Sequence, residues 1–184
     1  MRKLTSSIYT FEKLIENNFL YVDKTEYIWR LIDSAPAMYF MSRPRRFGKS
    51  LTVSTLEAVF SGKKELFKGL AIYDKPYDWK KYPVIHLDMG DRKCDTPQVL
   101  ESSLQDAIRK CAEEHQVSAV GSDAQTQFRN LIDAVSKNAP AVILVDEYDK
   151  PMLQAIGNEE LQKEYRNTLK PFYGVLKTMD GYIK

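Results

Sequence analysis

The sequence predicts an α/β fold with a largely parallel sheet flanked by helices. Three observations lead there. Short apolar runs stand at 37–42 (AMYFMS), 83–89 (PVIHLDM) and 141–145 (AVILV), each the length of a buried strand. Stretches with a helical apolar rhythm lie between them, and strands alternating with helices pair in parallel. Two polar segments, RPRRFGKS at 43–50 and DEYDKP at 146–151, each directly follow a predicted strand. That is the carboxyl end, where such sheets bind ligands.

The elements follow in chain order. Residues 10–18 and 24–33 read as short helices on either side of the extended FLYVDKT. Pro36 precedes the first strand candidate. Lys49–Phe60 has apolar residues at 51, 53, 56, 59 and 60, the spacing of one helix face, and Gly62 ends it. Residues 63–82, rich in Lys, Tyr and Pro, predict an irregular connection with one helical turn. Thr96 or Pro97 opens a helix to about His115, and Ser122 or Asp123 caps another to about Lys137. Pro140 leads into five consecutive aliphatics, the strongest strand signal in the chain. A last long helix runs from Glu159 to about Met179, with Pro171 predicted to kink or break it.

Composition narrows the function classes. The chain has 184 residues, 43% hydrophobic and 28% charged, with a net charge of +2. That suits one globular domain and gives nucleic acid binding little support. No apolar run approaches the roughly 20 residues of a membrane helix, and MRKLTSSIYTFEKL has no apolar segment of the secretory kind. Cys94 and Cys111 sit in no metal-ligand spacing and read as free thiols of the reducing cytoplasm.

Two motifs carry chemistry. Gly48-Lys49-Ser50 ends like a phosphate-binding loop. Gly48 allows close backbone approach, the Lys49 ammonium can reach β- and γ-phosphates, and the Ser50 hydroxyl can ligate Mg2+. The plainer reading is a turn with exposed charges. The second motif is Asp146-Glu147 after the aliphatic run. Asp146 suits a Mg2+ site, and Glu147 suits a group that orients or deprotonates water. Acids also end strands simply because they favour turns, but two of them about a hundred residues beyond Gly-Lys-Ser fit a Mg-nucleotide site better.

RPRRFGKS, VDEYDKP and the upstream YVDKT together resemble the AAA-ATPase-like family of bacterial and archaeal P-loop proteins, over about residues 6–178. The resemblance implies a P-loop NTPase core of the additional-strand, catalytic-glutamate type that binds ATP with Mg2+. It implies nucleotide contacts from Arg45, Arg46, Phe47, Gly48, Lys49, Ser50 and Leu51, Mg2+ at Ser50 and Asp146, and water activation by Glu147. Asp149 and Lys150 match the motif without an assigned role. Arg43 replaces the usual first glycine, and Pro44 stiffens the loop beside it. Arg45 or Arg46 then supplements phosphate binding, unless both are solvated or paired with acids. The expected organisation is an N-terminal segment, 1–35, and the NTPase core, 36–184. The core is expected to be C-terminally truncated, because no sensor strand is legible after DEYDKP. Many members carry a nuclease-like domain after the core, and none is legible here.

Weaker signals remain. FLYVDKT suits a place near the adenine or an aromatic edge strand. His86 reads as a hydrogen-bonded core residue rather than a ligand, and His115 as the end of a helix. Tyr73, Tyr77, Trp79 and Tyr82 among lysines suit packing, or stacking on nucleic acid. Arg129 and Arg166 are helical arginines, and neither is identified as an arginine finger. The leading expectation is an ATP-binding domain that hydrolyses ATP in its full-length context. Its rivals are a nucleotide-sensing module with negligible turnover, acting on a protein partner or a missing domain, and a nucleic-acid binder. No membrane association is expected.

Overall fold

The computed structural model describes residues 3–5, 7–34, 38–42, 44 and 46–184. The chain divides into two compact units, Met1–Val84 and Ile85–Lys184.

The first unit is held by short helices and aromatic pairs. Helices α1 (Phe11–Glu16) and α3 (Lys49–Phe60) pack together, and α2 (Thr25–Asp33) turns Ile28 and Ile32 inward. Phe11 stacks on Phe67 with ring centroids 4.6 Å apart, and Tyr21 meets its edge at 5.1 Å. α3 ends as Gly62 predicts. Gly62 takes φ +71°, its N–H donates to Val59 O at 3.0 Å, and the Lys63 N–H donates to Ala58 O at 3.1 Å. These two bonds satisfy carbonyls that the last helical turn leaves open. The connection that follows holds one 3-10 turn, Lys64–Phe67. Its aromatics are packed. Trp79 lies against Phe67 and Tyr77, and the ammonium groups of Lys64, Lys75 and Lys80 stand over Tyr73, Trp29 and Tyr82.

YVDKT is a latch in this unit. Asp23 Oδ1 accepts from the Thr25 N–H at 2.8 Å and from its hydroxyl at 2.7 Å, while Oδ2 accepts from the Ala71 N–H at 2.8 Å. The fully buried Thr25 hydroxyl oxygen accepts from the Ile72 N–H at 3.0 Å. Burial pushes the Asp23 carboxyl up, but the bonds from Thr25 and Ala71 outweigh it and hold the group below the usual carboxylate range. Among the described residues FLYVDKT forms no edge strand, and its sheet-like pairing there is the bridge between Lys3 and Phe19.

The strand expected at 37–42 also differs. Ala37 lies outside the described residues, and 38–42 form no strand. Met38, Tyr39 and Phe40 are 78%, 54% and 71% exposed. A strand needs a neighbour for its N–H and C=O groups, and among the described residues no strand pairs with this run. Apolar character alone does not supply one.

The second unit has a two-stranded parallel sheet, β1 (Val84–Asp88) beside β2 (Val142–Asp146), connected through α4 (Pro97–Glu114) and α5 (Ala124–Val135). The helix starts follow their capping signals. Thr96 Oγ1 accepts from the Val99 N–H, Asp123 Oδ1 from the Thr126 N–H, and Asn158 Oδ1 from the Leu161 N–H. A short helix unanticipated from the sequence, α6 (Lys150–Gln154), follows β2, and α7 (Glu159–Thr178) closes the core. Leu100, Leu104 and Ile108 of α4, Phe128 and Leu131 of α5, and Tyr165, Phe172 and Val175 of α7 are buried with Ile85 and Leu87 of β1. Phe128 stacks on Phe172 at 4.8 Å, a pair worth about 0.5–1.5 kcal/mol beyond its burial.

Pro171 does not break α7, which runs on for seven residues to Thr178. The proline removes the donor for the Asn167 carbonyl, yet both residues are exposed, so water can take the donor's place. Buried Leu169, Phe172 and Val175 flank it and hold the helix to the core. Beyond α7 the chain returns to the sheet. The Ala141 N–H donates to Tyr182 O at 2.8 Å and the Lys184 N–H to Ala141 O at 2.9 Å, a parallel bridge centred on Ile183. Backbone groups alternate sides along a strand. Ala141 faces Ile183 whereas Asp146 faces β1, so this segment lies on the opposite edge of β2.

Candidate functional site

The predicted residues fall into two groups, one in each unit. In the first, Gly48 is the N-cap of α3 at φ +75°, and a Cβ built there meets nothing within 4 Å. Its left-handed backbone suits glycine and bends the chain into the helix. Having no side chain, Gly48 cannot cap the first-turn amides. Its carbonyl is occupied instead, accepting from both the N–H and the hydroxyl of Thr52 at 2.9 Å. Lys49 and Ser50 are the first two helical residues, with Leu51 next, and all three are half-buried. No acid stands in this first turn. Arg46 takes φ +65° and is exposed, and Phe47, also exposed, donates its N–H to Pro44 O at 3.3 Å. Arg43 and Arg45 lie outside the described residues.

In the second unit, the strand before Asp146-Glu147 forms as expected, and Asp146 is its last residue. Asp146 is 7% exposed. Its Oδ1 accepts from the Glu147 N–H at 2.9 Å, and its carbonyl accepts from the Met89 N–H at 3.1 Å. Glu147 is half-buried with φ +52°, a left-handed conformation that non-glycine residues adopt rarely and often at functional sites. Lys150 then returns toward β1. Its ammonium donates to Gly90 O and, at 2.9 Å, to Arg92 O. The strand ends thus bring together Asp88, Gly90, Asp146, Glu147 and Lys150. Sequence reasoning missed Asp88 and Gly90, and left Lys150 without a role. Nothing in their local spacing reports a contact made sixty residues away.

The other candidates lie away from both groups or at helix ends. Arg129 donates to the Thr178 hydroxyl at 3.1 Å and is committed to the end of α7, while Arg166 is exposed. Half-buried His86 lies in β1, and its carbonyl accepts from the Cys111 thiol at 3.4 Å. His115 is the C-cap of α4. Both cysteines are free and buried, and burial pushes the Cys111 thiol up to about 11. Burial also raises the Tyr173 hydroxyl, with Asp149 and Tyr148 adding to it. Among the described residues no helix is long and apolar enough to cross a membrane, and no group of three or more His, Cys, Asp or Glu converges as a metal site.

A family described as predicted AAA-ATPase matches residues 6–184. A protein of Azotobacter chroococcum mcd 1, described as an uncharacterized protein in the vnfD 5′ region, is 34% identical over 187 residues. The match covers 100% of this chain and 36% of that protein, so the chain spans about a third of that relative's length. No solved structure matches.

Proposed function

We propose that this chain, which belongs to the predicted AAA-ATPase-like family, is an ATP-binding P-loop domain that hydrolyses ATP with Mg2+ in its full-length context. The NTPase core is residues 36–184, and 1–35 are an N-terminal segment of the same domain. The observation that carries the reading is the start of α3. Gly48 is left-handed and sterically open, and Lys49 and Ser50 stand in the first turn with no acid beside them. A helix start of this kind offers backbone amides and a partial positive charge to phosphate.

The roles follow from the donor set. The amides of Gly48, Lys49, Ser50 and Leu51 face phosphate oxygens, and the Lys49 ammonium neutralises the β/γ end. Arg45 and Arg46 add positive charge at the entrance, next to Phe47. Asp146 is a buried carboxylate and Ser50 brings a hydroxyl; each is an oxygen donor of the kind that Mg2+ takes. Bound Mg2+ would offset the charge that develops on the phosphate oxygens. Glu147 orients the attacking water and accepts its proton. The output goes to a protein partner or to the rest of the full-length protein, in the cytoplasm.

Mg·ATP titration by calorimetry, with turnover followed on the same samples, tests this. Lys49→Ala is expected to weaken binding roughly tenfold or more, the loss of one charge-assisted contact. Glu147→Gln is expected to keep the affinity and lower turnover by roughly 10²–10⁴. Binding that is indifferent to Lys49 overturns the site. Binding without turnover in the full-length protein identifies a nucleotide sensor instead.

A further inference from the structure

We propose that Lys150 is the positioning residue for Glu147: it ties down the loop after β1 and so fixes Gly90, the loop residue beside the glutamate side chain. This rests on the reading of Glu147 as the water-activating group.

One residue holds both sides of the contact. The Lys150 backbone N–H donates to Glu147 O at 3.0 Å. Its side-chain ammonium donates to Gly90 O and to Arg92 O, the latter at 2.9 Å. An ammonium has three N–H donors, and two of them go to backbone carbonyls of one loop. These bonds hold Gly90 beside the strand ends. A Cβ placed on it would stand 3.0 Å from Asp88 Oδ1 and 3.6 Å from Glu147 Cγ. The Gly90 N–H donates to the same Asp88 oxygen at 2.7 Å. Any residue with a Cβ at this position would crowd Asp88 and come into van der Waals contact with Glu147 Cγ; bare Gly90 leaves that space open beside the glutamate.

Further bonds hold the rest of the loop. Arg92 Nε donates to Asp88 O at 3.1 Å and its Nη1 to Ser103 O at 3.3 Å. The Cys94 thiol donates to Gln154 Oε1, and the Tyr165 hydroxyl donates to Cys94 O. Glu147 itself has an unusual backbone, φ +52°, with its N–H on Asp146 Oδ1. A carboxylate that must aim at a water tolerates little misplacement. Backbone bonds set where Glu147 starts; the loop at Gly90 shapes the space beside its side chain, and Lys150 keeps that loop in place. This gives the lysine of DEYDKP a task inside its own unit.

The test compares Lys150→Met and Lys150→Arg with wild type and Glu147→Gln, on the whole chain. Three quantities are read: Mg·ATP affinity, turnover, and hydrogen exchange of the 89–92 amides against those of α4. The Gly90 and Arg92 amides, bonded to Asp88 Oδ1 and Met89 O, sit in the clamped stretch, and α4 is the internal control. Lys150→Met is expected to lower turnover about ten- to hundredfold, keep nucleotide affinity, and speed exchange at 89–92 alone. Lys150→Arg, which can still donate to carbonyls, is expected to recover part of both. Unchanged exchange at 89–92 in Lys150→Met overturns the clamp. Faster exchange at 89–92 and in α4 together also overturns it, because the loss is then general unfolding. A loosened 89–92 with full turnover, beside an inactive Glu147→Gln, overturns positioning but leaves the function standing. Turnover that survives Glu147→Gln overturns the function reading, and positioning falls with it.

Discussion

Phe40 and Phe172 are both aromatic residues within apolar stretches, yet Phe172 is 1% exposed and Phe40 is 71% exposed. Phe172 stands on a 20-residue helix whose other inward positions, Tyr165, Leu169 and Val175, are also buried, and it stacks on Phe128 of α5. Phe40 stands in a run that would be buried only within a ladder, and 38–42 form no strand. An amphipathic helix satisfies its own backbone and needs only a surface to pack on. A strand needs both a surface and a hydrogen-bonding neighbour. Apolar patterning reports the surface and is silent about the neighbour.

The largest expected effect tests the buried side of this comparison. Phe172→Ala is expected to destabilise the protein by about 3–5 kcal/mol, the usual loss for a buried Phe whose cavity does not collapse. Denaturant unfolding measures it. A loss below about 1 kcal/mol would mean that the α4–α5–α7 core is loosely packed.

A smaller effect probes how the second unit's helices begin. Asp123 caps α5, and the Thr126 N–H, with the Ser122 hydroxyl next, holds its carboxyl below the usual range despite slight burial. Asp123→Ala is expected to lose about 0.5–2 kcal/mol. The sign of the pH dependence follows from the depressed folded value. The stabilisation is fully present above the unfolded pKa of about 4 and disappears as pH falls through the lower folded value. Asp123→Asn keeps a capping oxygen without titrating, so its stability should flatten in that acid window. Identical acid profiles for wild type and the Asn variant would show that the cap is not the titrating contact.

These two regions also mark how far the sequence could be read. Its short-range signals held. Thr96-Pro97 and Asp123 start helices, Gly62 ends one through bonds to Val59 and Ala58, and five aliphatics before Asp146 make β2. The local setting of the candidate site was equally legible, with Gly48-Lys49-Ser50 at a helix start and Asp146-Glu147 at a strand end. What was lost depends on distance along the chain or on which side faces water. The Lys150 ammonium reaches Gly90 across sixty residues. The left-handed turn at Glu147 has no glycine to announce it. Pro171 signals a break, but on the exposed side of α7 its missing bond falls to solvent. FLYVDKT reads as an aromatic edge strand or a segment near the adenine, and its Asp23 and Thr25 are instead bonded to the backbone of Ala71 and Ile72.

The smallest expected effect is the one that can overturn the contrast. With 71% of its surface in water, Phe40 has little transfer energy to lose, so Phe40→Ala should change stability by no more than about 0.5 kcal/mol. Were 38–42 a central strand packed on both faces, the same truncation would cost about 3–5 kcal/mol, as at Phe172. The two expectations differ by several times the error of a denaturation midpoint, and Phe172→Ala measured in parallel calibrates the scale. A near-zero result keeps the run exposed and leaves α3 to present Gly48-Lys49-Ser50 without a strand leading into it. A loss matching that of Phe172→Ala would mean that the run is paired in solution. The phosphate-loop candidate would then stand at a strand end, the same local setting as Asp146-Glu147.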